Sequence, residues 1–212
     1  MALSVALSVN EPSATSEAAV TPVAEMPSLG VDSRKLGVWA FLGSEVVFFS
    51  SLIVTYVVLS GRSVHGPYPS EVLNIWLVAV NTFVLICSSL TMVTALARVE
   101  RGDVRAMRFL LIATAVLGAL FLTGQGIEFM LLYKQGLSIH SNLFGAAFFT
   151  LTGFHGMHVA VGVIAICFLL ARAFAGGITI GNHLSVELVG LYWHFVDIVW
   201  IVVFTVVYLL GT

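Results

Sequence analysis

The chain has 212 residues, of which 59% are hydrophobic and only 9% are charged, and its formal net charge is −2. A water-soluble domain carries about 25% charged residues, so the composition excludes a soluble globular protein. The few Lys and Arg residues form no basic run, which also argues against a nucleic-acid-binding protein. Composition therefore predicts an integral membrane protein.

Residues 1–33 differ in composition from the rest of the chain. Ser, Thr, Ala, Pro and Glu dominate there, and this composition is typical of a disordered tail. No Lys or Arg precedes the weakly apolar beginning, which argues against a signal peptide. We therefore expect a disordered tail over residues 1–33 and a membrane domain over residues 34–212.

Five apolar stretches follow the tail. Each exceeds the length of about 20 residues that a helix needs to cross the hydrocarbon layer. In chain order, they cover residues 36–59, 72–97, 109–133, 143–171 and 184–210. The connections between them are too short to hold a further domain. The sequence thus predicts an all-α polytopic membrane protein with five transmembrane helices.

The basic residues predict the orientation of these helices, because Lys and Arg concentrate on the cytoplasmic side of a membrane. If the N-terminus is cytoplasmic, the inner side holds Arg34, Lys35, Arg98, Arg101, Arg105, Arg108 and Arg172. The outer side then holds only Arg62 and Lys134. We expect the N-terminus inside and the C-terminus outside.

Seven ionisable residues lie within the predicted spans, where each charged group costs several kcal/mol. They are Glu45, Glu128, His155, His158, Glu187, His194 and Asp197. The spans that contain the acids hold no Lys or Arg. The acids therefore carry protons, share protons with imidazoles, or meet water or a neighbouring subunit.

The spacing of these residues predicts two groupings. A helix rises about 1.5 Å per residue, which allows Glu45, His155, His158, His194 and Asp197 to share one layer near the membrane centre. On the last span, Glu187, His194 and Asp197 fall on one face together with Gly190. Three interpretations stay open, namely hydrogen bonds between helices, a proton relay, and haem or metal ligation by the histidines.

Two further patterns concern packing. The small residues Gly153, Gly156, Ala160 and Gly162 predict close helix contact within the fourth span. Three aromatic residues near span ends are candidates for anchors at the membrane surface. These are Trp39, Tyr133 and Tyr208.

Two longer motifs carry a family resemblance. Residues 152–159 read TGFHGMHV, and residues 192–200 read YWHFVDIVW. Shorter pieces are Ser44-Glu45, ERGD at 100–103 and QGIE at 125–128. In this order, the chain resembles subunit III of the haem–copper respiratory oxidases, especially cytochrome c oxidase, over about 170 residues.

This resemblance implies an all-helical accessory subunit that has no catalytic, cofactor-binding or metal site of its own. Haem and copper are expected in the partner subunits I and II. The chain would pack on subunit I in a bacterial inner membrane, bind phospholipid, and support proton uptake and turnover stability, with membership of a larger respiratory supercomplex left open. Longer family members have seven helices, so a second wall for lipid is expected from another chain.

The seven ionisable residues stand at positions that match the family. The resemblance implies that their roles are structural, or that they adjoin lipid or protons. Glu45 matches a glutamate that reacts with hydrophobic carbodiimides. Phe129 and Met130 follow Glu128 where hydroxyl-bearing aromatic residues are expected, which leaves the hydrogen bonding of Glu128 open.

Other functions remain as alternatives. Within the same family, the chain could serve a quinol oxidase or be the accessory protein of a nitric oxide reductase, although Glu45 and Phe154-His155 favour cytochrome c as the donor. A small proton-coupled transporter is disfavoured because every proline lies outside the spans. A membrane cytochrome with histidine ligands is the third class.

Overall fold

The computed structural model describes residues 32–60, Arg62 and residues 75–210. These residues form helices and turns without a strand, and five of the helices are long and apolar enough to cross a membrane. This confirms the predicted fold class. The predicted tail falls almost wholly on residues 1–31, outside the described part, and so do residues 72–74 of the second predicted span.

The helices are α1 (Ser33–Ser60), α2 (Ile75–Glu100), α3 (Val104–Lys134), α4 (Leu143–Phe174) and α5 (Leu184–Phe204). A 3₁₀ turn (Ile180–Asn182) precedes α5, and a π-helical turn (Thr205–Leu209) follows it. Several helices extend beyond the apolar stretches, because capping groups rather than hydrophobicity set their ends. Asp103 caps α3 by accepting from the Ala106 amide at 3.0 Å, and Asn142 caps α4 by accepting from the Gly145 amide at 2.7 Å.

Four of the helices form a closed ring. The helices α2 and α3 pair most extensively, α4 packs on α3, and α5 packs on both α4 and α2. Helix α1 lies outside the ring, against α4 and α5. It contributes only Phe49 and Tyr56 to the buried core, so most of its surface is exposed on the isolated chain.

The Trp193 indole fills the interior of the ring where α3, α4 and α5 meet. A Cβ atom at Gly118 would lie 2.6 Å from Trp193 Cη2, and one at Gly162 would lie 2.7 Å from Trp193 Cε3. Both distances are too short for a side chain, so these glycines make room for the ring. The predicted small-residue contact is therefore confirmed at Gly162.

The other small residues of α4 divide between two environments. A Cβ atom at Gly156 would lie 2.5 Å from Gln125 Oε1 on α3, which confirms a close approach there as well. At Gly153, by contrast, no atom lies within 4 Å of the Cβ position, so close helix contact is wrong for this residue. Gly153 lies on a face of α4 that no neighbouring helix of the described bundle covers.

Candidate functional site

The ionisable residues of the spans do not meet at one common site. Glu45 and His158 meet between α1 and α4, whereas His194 and Asp197 lie on the side of α5 that faces α2. His155 is enclosed by aromatic rings, and the remaining two acids lie in different parts of the bundle. The structure therefore distributes the seven residues over several small polar sites.

Glu45 and His158 form a shielded pair. Glu45 Oε2 lies 3.2 Å from His158 Nε2, with side-chain exposures of 17% and 13%. His158 Nδ1 lies 2.7 Å from the carbonyl oxygen of Phe154, which can only accept a hydrogen bond, so Nδ1 carries a proton. His158 Nε2 then faces the Glu45 carboxyl at ion-pair distance.

An apolar groove of about 500 Å³ lies over this pair, between α1, α4 and α5. Val38 and Phe41 line it from α1, and Met157 and Val161 line it from α4. Tyr192 lines it from α5 and donates its hydroxyl proton to the His158 carbonyl oxygen at 2.9 Å. The groove is therefore a hydrophobic surface with one polar pair at its base.

Replacing Glu45 with Leu is expected to lower stability more than replacing it with Gln. Leu leaves the shielded His158 Nε2 without the polar group that faces it, which costs about 1–3 kcal/mol, whereas Gln keeps a polar group at this position. Thermal unfolding of the protein purified from membranes in mild detergent measures the difference. Equal unfolding midpoints for the two variants would contradict a stabilising polar contact.

His155 is fully buried and packs as an aromatic ring. It stacks on Trp200 with a centroid distance of 4.6 Å, and the Phe121 ring meets it edge-on at 5.8 Å. Neither ring nitrogen has a hydrogen bond within the described residues. Those residues also contain no group of three or more His, Cys, Asp or Glu side chains that could hold a metal ion.

Asp197 and His194 face α2 from α5. His194 Nδ1 lies 2.6 Å from the Ser89 hydroxyl, which joins the two helices. Asp197 is buried, and neither of its carboxylate oxygens makes a hydrogen bond within the described residues. The Ser89 hydroxyl lies next to this carboxyl but is already engaged with His194.

Glu128 lies inside the bundle near the C-terminal end of α3. It is 6% exposed, and the Tyr208 hydroxyl donates a hydrogen bond to its Oε1 at 2.7 Å. The hydroxyl that the sequence did not supply next to Glu128 thus comes from the π-helical turn that follows α5. The prediction of Tyr208 as a surface anchor is wrong, because its ring is buried, whereas Trp39 and Tyr133 are exposed.

Glu187 has a basic partner that lies outside the predicted spans. Its Oε1 lies 2.6 Å from Lys35 Nζ, and Lys35 is just outside the first predicted apolar stretch. The expectation that the four acids have no basic partner other than histidine is therefore wrong for Glu187. Because Glu187 faces α1 while His194 faces α2, the predicted polar stripe of the last helix serves two different contacts.

Hydroxyl and indole groups complete the polar contacts between the helices. These contacts were not predicted from the sequence. Trp193 Nε1 donates to Ser88 Oγ at 3.0 Å, and Trp200 Nε1 donates to Thr82 Oγ1 at 2.9 Å. Gln125 Nε2 donates to the Thr152 carbonyl oxygen at 2.7 Å. The sequence contains a spacing that indicates the two indole contacts. The two indoles lie seven residues apart on α5, and the two hydroxyls lie six residues apart on the antiparallel α2.

Comparison with known proteins supports the family resemblance along nearly the whole chain. A family model for cytochrome c oxidase subunit III matches residues 29–212. The chain is 39% identical to the quinol oxidase subunit 3 of Bacillus spizizenii over 176 residues, covering 83% of this chain and 86% of the relative. It is 38% identical to the cytochrome c oxidase subunit 3 of Alkalihalophilus pseudofirmus over 190 residues, covering 88% and 91%. The chain therefore belongs to the cytochrome c oxidase subunit III family.

Proposed function

We propose that this chain is a non-catalytic accessory subunit of a proton-pumping terminal oxidase in the inner membrane of a bacterium. The family match over residues 29–212, which includes all five helices, carries this proposal. Haem and copper then belong to the partner subunits I and II, and this chain packs on subunit I. The positive-inside distribution of Lys and Arg supports a cytoplasmic N-terminus.

The surroundings of the histidines support a role without redox chemistry in this chain. His158 is engaged with Glu45, His194 with Ser89, and His155 with the Trp200 ring. Ligation of haem by two histidines requires both imidazoles to face the same metal. The three imidazoles contact three different side chains rather than a common point, which favours polar contacts and packing between helices over ligation.

The groove over Glu45 supports phospholipid binding. Its apolar walls suit an acyl chain, and the Glu45 carboxyl is shielded and faces His158 beside that chain. The groove is open on the isolated chain, so a neighbouring subunit can supply the opposite wall. In this arrangement the seven polar residues stabilise the bundle and adjoin lipid or protons, while catalysis belongs to the partners.

Affinity purification tests the accessory role. Membranes are solubilised gently, the chain is recovered through a tag after Thr212, and the accompanying chains and absorption spectra are identified. The expected result is co-purification of haem- and copper-containing oxidase subunits with bound phospholipid. A chain that purifies alone and shows haem absorption of its own would overturn the proposal in favour of a membrane cytochrome.

A quinol oxidase is the second candidate for the complex. The relatives named quinol oxidase subunit 3 and cytochrome c oxidase subunit 3 match this chain equally well, at 39% and 38% identity. Oxygen uptake by the purified complex with reduced cytochrome c, and separately with a soluble quinol, distinguishes the two donors. The leaning from Glu45 and Phe154-His155 predicts faster uptake with cytochrome c, and faster uptake with quinol would contradict it.

A further inference from the structure

Asp197 is a buried carboxyl that the accessory role leaves unused. It lies between Trp193 and Trp200 along α5, and its exposure is 4%. Neither carboxylate oxygen makes a hydrogen bond within the described residues. Most buried polar side-chain atoms in native proteins are paired, and an unpaired one costs about 1–3 kcal/mol. Such a residue therefore indicates a role beyond packing.

The Ser89 hydroxyl connects this carboxyl to a less buried group. Its oxygen lies 2.6 Å from His194 Nδ1, and it also adjoins the Asp197 carboxyl without a direct hydrogen bond. A hydroxyl has one proton and two lone pairs, so it can accept from one neighbour while it donates to another. His194 is only half-buried. The Ser89 hydroxyl therefore lies between a half-buried imidazole and a buried carboxyl.

We infer that Ser89 relays protons between His194 and Asp197, which makes the buried carboxyl a proton-binding site inside the bundle. In the inward step, the Nδ1–H bond of a doubly protonated His194 breaks as a new bond forms to Ser89 Oγ. The original Oγ–H bond breaks as its proton joins an Asp197 oxygen. The hydroxyl is regenerated, the imidazole keeps its Nε2 proton, and the carboxylate becomes a carboxyl.

Two features make this arrangement fit a relay better than a simple latch between helices. A latch needs only the hydrogen bond between Ser89 and His194, and it gives no reason for an acid next to the same hydroxyl. The contacts of α5 with α2 at the flanking positions are already made by Trp193 with Ser88 and by Trp200 with Thr82. The relay needs a side-chain movement that brings the Ser89 hydroxyl and the Asp197 carboxyl into hydrogen-bond range.

Infrared hydrogen–deuterium exchange of the purified complex tests the relay. The carboxyl stretching band of Asp197 is assigned as the band that Asp197→Asn removes. Asp197→Glu, which keeps a carboxyl and shifts its band, provides the assignment if the Asn variant does not assemble. After transfer to D₂O, Ser89→Ala is expected to slow exchange of this band by about tenfold or more. Ser89→Thr, which retains a hydroxyl, restores the rate.

Ser88→Ala is the matched control, because it removes the neighbouring hydroxyl of α2 that is bonded to Trp193 rather than to His194. Its exchange rate is not expected to fall, because the Ser89 hydroxyl stays in place. A structural latch predicts the opposite result for Ser89→Ala, since a looser seam exchanges faster. Unchanged or faster exchange in Ser89→Ala, equal slowing in Ser88→Ala, or no band assignable to Asp197 would overturn the relay.

Discussion

Replacing Gly162 with Leu is expected to prevent the bundle from assembling. The space beside Gly162 is occupied by the Trp193 ring, only 2.7 Å from the position of a Cβ atom. Trp193 cannot move away, because its other edge meets Gly118 and its Nε1 is bonded to Ser88. Forcing larger groups into a packed interior costs about 1–3 kcal/mol or more, and a Leu side chain here separates α4 from α5.

The amount of the chain recovered in purified complexes, together with the thermal midpoint of those complexes, measures this effect. Gly153→Leu is the matched control, because it makes the same substitution on α4 where no atom lies within 4 Å. We expect near-normal recovery for Gly153→Leu and little or none for Gly162→Leu. Equal recovery of the two variants would show that the contact between Gly162 and Trp193 does not hold the helices together.

Replacing Tyr208 with Phe is expected to destabilise the protein by about 1–3 kcal/mol. The substitution keeps the buried ring but removes the proton donor to Glu128 Oε1. The carboxyl then stays inside the bundle without this partner, and a buried acceptor that loses its donor bears most of the desolvation cost. Thermal unfolding of the purified protein gives the change in stability.

A double substitution separates this hydrogen bond from other effects of the variant. In Glu128→Leu/Tyr208→Phe both polar groups are gone, so its loss of stability is expected to be smaller than the sum of the two single losses. Tyr133→Phe is the control, because it removes an exposed tyrosine hydroxyl near the end of the same helix as Glu128. Strictly additive losses would exclude coupling between Glu128 and Tyr208.

Hydropathy predicted the number and order of the helices, because crossing a membrane requires long apolar runs whatever the fold. The polar residues inside those runs were equally visible, since each is expensive in hydrocarbon. Both features depend on the local sequence alone. The two motifs on the last two helices are also local, so the family could be identified from them.

The pairing of these residues could not be predicted from spacing. Spacing along α5 places His194 and Asp197 on one face, but it does not tell which side chain of α2 that face meets. Tyr208 is an example. Both faces of a membrane helix are apolar, so the sequence does not show which face is buried, and an aromatic residue near a span end is predicted to be a surface anchor. Its contact with Glu128 depends on the rotation of α5 against α3, which only the packed bundle determines.

The position of α1 outside the ring has a consequence for biogenesis. Its main contacts are with α4 and α5, which are synthesised after α2 and α3. During synthesis α1 enters the bilayer before these helices, yet the contact between Glu45 and His158 and the Lys35–Glu187 ion pair wait for helices made more than a hundred residues later. The position of α1 is therefore fixed only after α5 has been made, and a nascent chain arrested before α4 leaves Glu45 in lipid without His158.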